Sequence, residues 1–387
     1  MNLLVLGTVL SPEAFSYNLA ANPASTKWLS GFIGGLQANA CELSLCGHCY
    51  AQVWPKGPLF PGDSNYLWKG CPNHLVKFLN APSLRFGSMA RGYFKKADAL
   101  FGASNFDAVI TYNPYPWHAR AARRLRSKYG IPWICLNLDF DNVGEGWSHF
   151  LRDAGDADGH LFLSHWGYEN APVAQKIHLD SGVPSIPDGF DQHLESDTIN
   201  IVYLGKLSKS GGLEILLKLP ELIDHAKVRF VYGGKGYPDA DRRLRELAKR
   251  DERVDYRGFV DESEVKSIFQ NATVFLNPRD PEDVVNDMVF PSKVMQYLQH
   301  GRTVVSTWTR GLEPIYRGMM LIAETPSALD FALAVKSAIS ESHTVREQRG
   351  QRIKSFIEGS RLWTKQAQRF VDFTEAIIRD CPRKAED

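Results

Sequence analysis

Short apolar runs alternate with amphipathic stretches along most of the 387 residues, and this alternation constrains the fold more than any other feature. Runs such as "NLLVLGTVL", "DAVITYN" and "INIVYLG" have the length and β-branched content of buried strands. Intervening stretches such as "STKWLSGFIGGLQANA" and "ADRRLRELAKR" carry apolar residues at helical spacing. Strands that alternate with helices predict parallel sheets with crossover helices, and therefore an α/β fold.

The pattern restarts in the middle of the chain, after the segment "GVPSIPDGFDQHLESDT". We therefore predict two doubly wound domains, residues 1–195 and 196–365. A final helix over residues 366–387 is expected to pack back on the first domain. The region from Ala51 to Gly92 is rich in Pro, Gly and aromatic residues, which predicts an irregular excursion beside the site.

Charge and hydropathy exclude several classes of protein. The formal net charge is only +1, and no motif for nucleic-acid binding is present, so a nucleic-acid partner is not expected. The early apolar run from Leu3 to Leu10 is too short for a membrane span and lacks a basic leader. We therefore expect a cytoplasmic protein.

The cysteines allow a metal-site hypothesis. "CELSLCGHC", with Cys71 further on, has the spacing of a plant-type iron–sulfur site or of a zinc site that uses His48. The alternative that we favour is a strand that runs into a loop, with small buried thiols.

The segment "VFPSKVMQYLQHGRTVVST" predicts a helix whose start carries polar groups. Pro291 suits the first helical position, and Gly301 suits the end. Ser292, Lys293 and the free backbone amides would together bind phosphate. The alternative is a surface helix start with a solvated lysine.

A second Gly-rich turn strengthens the phosphate hypothesis. "YLGKLSKSGGLEILL" is predicted as strand, turn and helix, and it supplies Lys206 and Lys209. Two anion sites in one Rossmann-like half suit a diphosphate.

These segments resemble a known family. "VYLGKLSKSGGLEIL", "VRFVYGGKG", "VDYRGFVDESEVKSIFQNATVFLNPR" and "NDMVFPSKVMQYLQHGRTVVST" are similar to the C-terminal half of the GT-B glycosyltransferases of retaining family 4. "FPSK" before a Tyr-Leu-containing helix occurs in some bacterial cell-surface polysaccharide members. The resemblance implies two Rossmann-like domains with parallel sheets that face each other across a cleft.

The resemblance also implies an activity. A sugar would pass from a UDP- or GDP-linked donor to a glycan or lipid-linked glycan, with retention and without metal, in surface polysaccharide or glycoconjugate synthesis. Lys206 and Lys293 would stabilise the leaving diphosphate. The implied donor-binding residues are Gly205, Lys206, Lys209, Gly258, Phe259, Val260, Pro291, Ser292, Lys293, Val294 and Gln296. Gly7 and Thr8 would border the cleft.

The chain departs from the family where two glutamates are usual. The first position falls near Met288, and Asn286 close by is an implied substrate-binding residue. The second falls at Gln296, which can bond a ribose hydroxyl without charge. Lys206 replaces the usual arginine, and Gly211 stands where a lysine is usual. Two alternatives therefore stay open: a non-catalytic protein that binds a nucleotide sugar or glycan as part of a complex, and a GT-B-fold epimerase.

The first half offers less specific candidates. Asp139 and Asp141 would bind Mn²⁺ in the other glycosyltransferase fold, whereas in the GT-B fold they would position substrate hydroxyl groups; a simple capping role is equally open. His118 would lie near the donor sugar or else be a solvated residue at a helix start. Asn113 and Tyr115 share that ambiguity.

"ARAARRLRSKYG" concentrates positive charge on one predicted helix. Its basic residues are Arg120, Arg123, Arg124, Arg126 and Lys128. They form either a solvated face or a surface that docks on the anionic inner membrane, where a lipid-linked acceptor would lie.

Overall fold

The chain divides into two units in a computed structural model, which describes residues 1–9, 23–62, 66–68, 70–139, 147–187, 190 and 197–381. Unit 1 comprises Met1–Leu163, Gly167–Pro184 and Trp363–Asp387. Unit 2 comprises Ser164–Trp166 and Ser185–Leu362. Each unit is built on one largely parallel sheet, so the predicted α/β fold with two parallel-sheet domains is confirmed.

The described residues of unit 1 form an eight-stranded sheet in the order β3-β4-β2-β1-β5-β6-β7-β8, in which only β3 and β4 pair antiparallel. The strands are β1 (Asn2–Leu6), β2 (Glu42–Gly47), β3 (Tyr66–Trp68), β4 (Cys71–Leu75), β5 (Ala108–Tyr112), β6 (Trp133–Asn137), β7 (Gly159–Phe162) and β8 (Lys176–His178). The helices are α1 (Pro23–Ala38), α2 (Arg85–Phe101), α3 (Pro116–Tyr129), α4 (Ser148–Ala154), α5 (His165–Asn170) and, from the end of the chain, α13 (Trp363–Asp380). Helix α5 begins within Ser164–Trp166, the three residues that belong to unit 2. Central strands such as β5 and β6 are buried along their whole length, as expected when both faces of a sheet are covered.

In the part of unit 2 that the structure describes, six strands form a wholly parallel sheet in the order β11-β10-β9-β12-β13-β14. The strands are β9 (Ile199–Leu204), β10 (Val228–Gly233), β11 (Val254–Tyr256), β12 (Val274–Asn277), β13 (Thr303–Ser306) and β14 (Leu321–Ile322). The helices are α6 (Leu213–Leu222), α7 (Pro238–Arg250), α8 (Glu262–Gln270), α9 (Val285–Met288), α10 (Ser292–Leu298), α11 (Ala328–Ser340) and α12 (His343–Phe356). This strand order is that of a doubly wound nucleotide-binding sheet, whose direction of growth reverses between β9 and β12.

The prediction of an irregular excursion from Ala51 to Gly92 was wrong in part. Cys71–Leu75 pairs parallel with β2, with Asn73 opposite Leu45, and α2 already begins at Arg85. The strand signal was hidden because β4 contains Pro72 and a buried Asn73, whose amide donates to the Val9 carbonyl.

The helix predicted after Pro291 lies slightly further along the chain than expected. It runs from Ser292 to Leu298, so Pro291 precedes the first helical residue. Gly301 lies three residues beyond the helix, with a φ of 65° that favours glycine.

Helix α13 packs on α1 through a notch of small residues. Trp363 lies edge-on to Trp28, with ring centroids 5.4 Å apart, and fills a notch formed by Gly31, Gly35 and Gly182. A Cβ at any of these three glycines would overlap Trp363. We call the space bordered by these three glycines the tryptophan notch.

Candidate functional site

A cavity of about 530 Å³ lies in unit 2, where β9, β10 and β11 end. Its lining residues are Leu204, Gly205, Lys206, Leu207, Gly234, Lys235, Gly236, Tyr237, Phe259, Val260, Val265 and Lys293. The carboxyl ends of the strands in an open parallel sheet are where such folds bind ligands. We call this space the unit 2 cavity.

Two Gly-rich loops form one wall of the unit 2 cavity. The Gly205 amide donates to the Gly233 carbonyl at 2.9 Å, and the Leu207 amide donates to the Lys235 carbonyl at 3.0 Å. Gly234 has a φ of 138°, and a Cβ there would overlap the Gly205 carbonyl. The wall is therefore mostly backbone, and it requires glycine at Gly234.

The charge of the unit 2 cavity is positive. Lys206, Lys235 and Lys293 line it, and none of its described lining residues is a carboxylate. Lys293 lies so close to Gly205 that a Cβ on that glycine would stand 3.0 Å from the Lys293 Cε. Three lysine ammonium groups around a cavity with no carboxylate in its described lining suit a diphosphate.

Two aromatic rings stand at the unit 2 cavity. Phe259 is 81% exposed and Tyr237 is 70% exposed, although both line the cavity. Exposed flat rings of this kind offer faces on which a planar base can stack. Sequence reasoning missed Lys235 and Tyr237, although "VRFVYGGKG" has the strand and Gly-rich turn that precede them.

The donor residues predicted from the sequence divide into two groups. Gly205, Lys206, Phe259, Val260 and Lys293 line the unit 2 cavity. The other predicted donor residues are not among its described lining: Lys209, Gly258, Pro291, Ser292, Val294 and Gln296.

Two residues of this second group, Gly258 and Val294, have structural roles near the unit 2 cavity or in the core. The Gly258 carbonyl accepts from the Gly234 amide at 2.6 Å and so supports the cavity wall. Val294 is fully buried in the core.

The Asn286 amide links parts of unit 2. It is 1% exposed, and its Nδ2 donates to the carbonyl groups of Ser210 and Asp280. Its Oδ1 accepts from Arg279 at 2.6 Å. These contacts hold the turn after β9 against the segment that follows β12.

His118 is buried, so the alternative of a solvated residue at a helix start was wrong. It is 1% exposed, and its Nδ1 lies 2.8 Å from the Tyr112 carbonyl. Because a carbonyl only accepts, Nδ1 carries the proton and Nε2 is left as an acceptor. Burial lowers the pKa of His118 to about 4, and Nε2 has no hydrogen-bond partner among the described residues.

A second buried histidine lies next to His118. The His48 Nδ1 is 2.7 Å from the Tyr93 hydroxyl, and the His48 backbone amide donates to the Thr8 hydroxyl at 2.8 Å. Burial, with smaller effects of His118 and Arg85, lowers the pKa of His48 to about 3. Thr8 therefore joins the ends of β1 and β2.

Gly7 and Asn113 also shape the ends of these strands. A Cβ on Gly7 would stand 2.7 Å from the Tyr112 Cβ. Asn113 has a φ of 57°, and its Oδ1 accepts from the amides of Leu138 and Asp139. Asn113 thus fixes the loop on which the exposed Asp139 stands. Asp141 lies outside the described residues.

The cysteines do not form the metal site that their spacing allowed. The described residues contain no group of three or more His, Cys, Asp or Glu that could hold a metal ion. Cys41, Cys46 and Cys71 are buried thiols, and burial raises the pKa of Cys46 to about 12.

Within the described ranges, no helix combines the length and the apolar character that crossing a membrane requires.

The basic helix α3 is partly neutralised by the protein itself. Arg123 pairs with Asp156, Arg126 with Asp158, and Lys128 with Asp98. The remaining arginines of this helix, Arg120 and Arg124, line a second cavity.

Comparison with known proteins agrees with this geometry. Residues 198–341 match the family model described as glycosyl transferases group 1. The chain is 27% identical over 206 residues to a component of the phosphatidylinositol N-acetylglucosaminyltransferase of Arabidopsis thaliana. That alignment covers 50% of this chain and 44% of the relative.

Solved structures resemble nearly the whole chain. The catalytic domain of starch synthase IV from Arabidopsis thaliana, bound to ADP and acarbose, has a TM-score of 0.67 at 13% identity, with 98% of this chain and 99% of that chain covered. Anabaena HepE in complex with UDP has a TM-score of 0.68 at 14% identity, with 97% and 100% covered. The chain therefore has the GT-B fold of glycosyltransferases, and residues 198–341 carry the sequence pattern of the group 1 glycosyl transferases.

Proposed function

We propose that the protein is a glycosyltransferase that binds a nucleotide-diphosphate sugar in the unit 2 cavity. The observation that carries the proposal is that residues from separate sequence segments meet there. Gly205 and Lys206 follow β9, Phe259 and Val260 follow β11, and Lys293 lies in the first turn of α10. The lysines face the diphosphate, and the aromatic rings face the base.

The proposed chemistry follows from this charge. Negative charge develops on the leaving diphosphate as the sugar departs, and Lys206 and Lys293 stabilise it without a metal ion. We propose retention of anomeric configuration, in which the acceptor attacks on the face from which the phosphate leaves. The departing phosphate then accepts the proton, so that the transfer needs no protein carboxylate as base.

We assign the contacts to substrate hydroxyl groups to unit 1. The His118 Nε2 is a neutral acceptor without a partner among the described residues, so a sugar hydroxyl is suited to donate to it. Asp139 is exposed on a loop that Asn113 fixes, and it is suited to accept from a second hydroxyl. Tests of these two assignments are the loss of transfer in His118→Ala and Asp139→Ala variants that still bind the donor.

The acceptor that we propose is a glycan or lipid-linked glycan. The Arabidopsis relative is named for a phosphatidylinositol substrate, which supports a lipid-borne acceptor. The "FPSK" segment supports a role in surface polysaccharide or glycoconjugate synthesis. Such a reaction would take place on the cytoplasmic side of the membrane that carries the acceptor.

The test is thermal unfolding of the full chain with UDP, GDP, ADP and their sugar conjugates, with EDTA throughout. One nucleotide should raise the melting temperature, because ligand at about 100 times Kd stabilises the native state by about 2.7 kcal/mol. Lys293→Ala should weaken that binding by roughly tenfold or more, since a hydrogen bond to a charged group contributes about 1.5–3 kcal/mol. Lys336→Ala, an exposed lysine on α11, is the matched control.

Other outcomes would point elsewhere. A shift that requires Mn²⁺ would contradict metal-free binding and direct attention to Asp139 and Asp141. Donor binding without hydrolysis or transfer would indicate a non-catalytic binding protein. Conversion of the donor to a second sugar nucleotide without acceptor would indicate an epimerase.

A further inference from the structure

Unit 1 contains a second cavity, of about 850 Å³, between α2 and α3. Arg91 of α2 and Arg120 and Arg124 of α3 line it, and all three are exposed. None of the described lining residues is a carboxylate. We call these three residues and the space between them the arginine pocket.

The arginine pocket concentrates charge that the protein does not neutralise. Other cations of α3 pair with aspartates, whereas Arg91 and Arg120 make no hydrogen bond or ion pair within the described residues. Arg124 has only a ring contact in that part of the chain, with its guanidinium 5.8 Å from the Phe94 centroid. Arg120 and Arg124 are four residues apart on one helix, a spacing at which like charges destabilise. An anion that binds here would relieve this repulsion.

Exposed apolar side chains border the same pocket. Leu84 lines it and is 58% exposed. Phe86 is 52% exposed, yet its ring stacks on Trp117 with centroids 5.0 Å apart and planes 14° apart. An inorganic anion gains nothing from such side chains, whereas the headgroup region of a bilayer accommodates both cations and apolar groups.

A neighbouring loop adds two more exposed rings. Asn80, four residues before Leu84, accepts from the Trp54 amide at 3.1 Å and donates to the Leu59 carbonyl at 2.8 Å. Trp54 is 48% exposed and Phe60 is 68% exposed. The backbone of this loop is therefore fixed next to the start of α2.

We propose that the arginine pocket, with Leu84 and Phe86 at its edge, docks unit 1 on a membrane that contains anionic phospholipid. The lipid phosphates bind the three guanidinium groups, and the apolar side chains enter the boundary between headgroups and acyl chains. The net charge of the chain is only +1, so the attraction is local to this surface. This inference does not depend on the proposed transferase activity.

The test is co-sedimentation of the full chain with vesicles of phosphatidylcholine alone or with added phosphatidylglycerol. The wild-type chain should bind only the anionic vesicles, and added salt should weaken binding. The Arg91→Gln, Arg120→Gln, Arg124→Gln triple variant should lose affinity on the order of a hundredfold, because each basic residue near an anionic surface raises the affinity about fivefold.

A control variant separates local charge from net charge. Lys249→Gln, Arg250→Gln, Lys336→Gln removes three exposed cations from unit 2 and should leave vesicle binding unchanged. Equal losses in both triple variants would overturn the proposal. So would unaltered binding by the arginine variant, once its circular dichroism and melting temperature show that it is folded.

A second variant tests the apolar contribution. Leu84→Ser with Phe86→Ser keeps every cation, and it should bind anionic vesicles more weakly and release at lower salt. Inorganic phosphate and duplex DNA serve as alternative ligands. If the wild-type chain binds either through the three arginines but does not bind vesicles, the pocket serves a soluble anion and the membrane proposal is wrong.

Discussion

At the scale of single residues, two glycines make room for the groups that line the unit 2 cavity. Gly205 allows the Lys293 side chain to pass close to the backbone. Gly234 allows the loop after β10 to lie directly against the Gly205 carbonyl. Any side chain at these positions would occupy space that the cavity wall already uses.

We therefore expect Gly234→Ala to destabilise unit 2 by at least about 2 kcal/mol, because it combines a steric overlap with a φ of 138°. Thermal unfolding and nucleotide binding would measure the effect. Gly318→Ala is the control, since a Cβ at Gly318 has no atom within 4 Å. Equal melting temperatures for the two variants would contradict this account of the wall.

Residue types in the sequence indicated the cations of the cavity but not the burial of individual side chains. Lys206 and Lys293 stand beside recognisable turn and helix signals, so they could be predicted. The burial of His118 could not, since it depends on how α3 packs over β5 and beside Tyr93. The three hydrogen bonds that occupy the Asn286 amide likewise depend on how the chain folds around it.

At the scale of elements, strands with a continuous apolar run were predictable, and strands defined by their neighbours were not. β5, "AVITY", is apolar enough to be recognised alone. β4, "CPNHL", is a strand because β2 pairs with it and because Asn73 finds a buried partner. Pairing of this kind is a tertiary effect, which the strand propensity of the local sequence does not predict.

The packing of α13 on α1 is open to a direct test. Trp363→Ala should destabilise unit 1 by about 3–5 kcal/mol, because it leaves the tryptophan notch empty. Limited proteolysis should then cleave near the start of α13 more rapidly. Leu333→Ala, 54% exposed on α11, should change neither stability nor cleavage. A stable Trp363→Ala variant would show that α13 is held by other contacts.

At the scale of the whole molecule, buried histidines make unit 1 sensitive to acid. Burial lowers the pKa of His48 to about 3, and those of His118 and His160 to about 4. The ordinary value is 6.5, so between about pH 6.5 and pH 4 the unfolded chain binds more protons than the folded one. Stability therefore falls as the pH falls through this range, by about 2 kcal/mol per histidine at about pH 5.

Melting temperatures between about pH 7 and pH 5 would measure this loss. His160→Phe removes one of the three proton-linked groups, and its melting temperature should fall less over the same range. The exposed His343 offers the control His343→Gln, which should follow the wild-type protein. Parallel curves for all three proteins would rule out buried histidine as the cause.

Unit 1 takes its last helix from the far end of the chain, and this order has a consequence during translation. A ribosome finishes the whole of unit 2 before it has made α13. Until α13 is made, the tryptophan notch stays empty, although every strand of unit 2 has already been synthesised. The unit that is synthesised first is thus the one completed last, and a nascent chain stalled before Trp363 would expose the apolar face of α1 to chaperones.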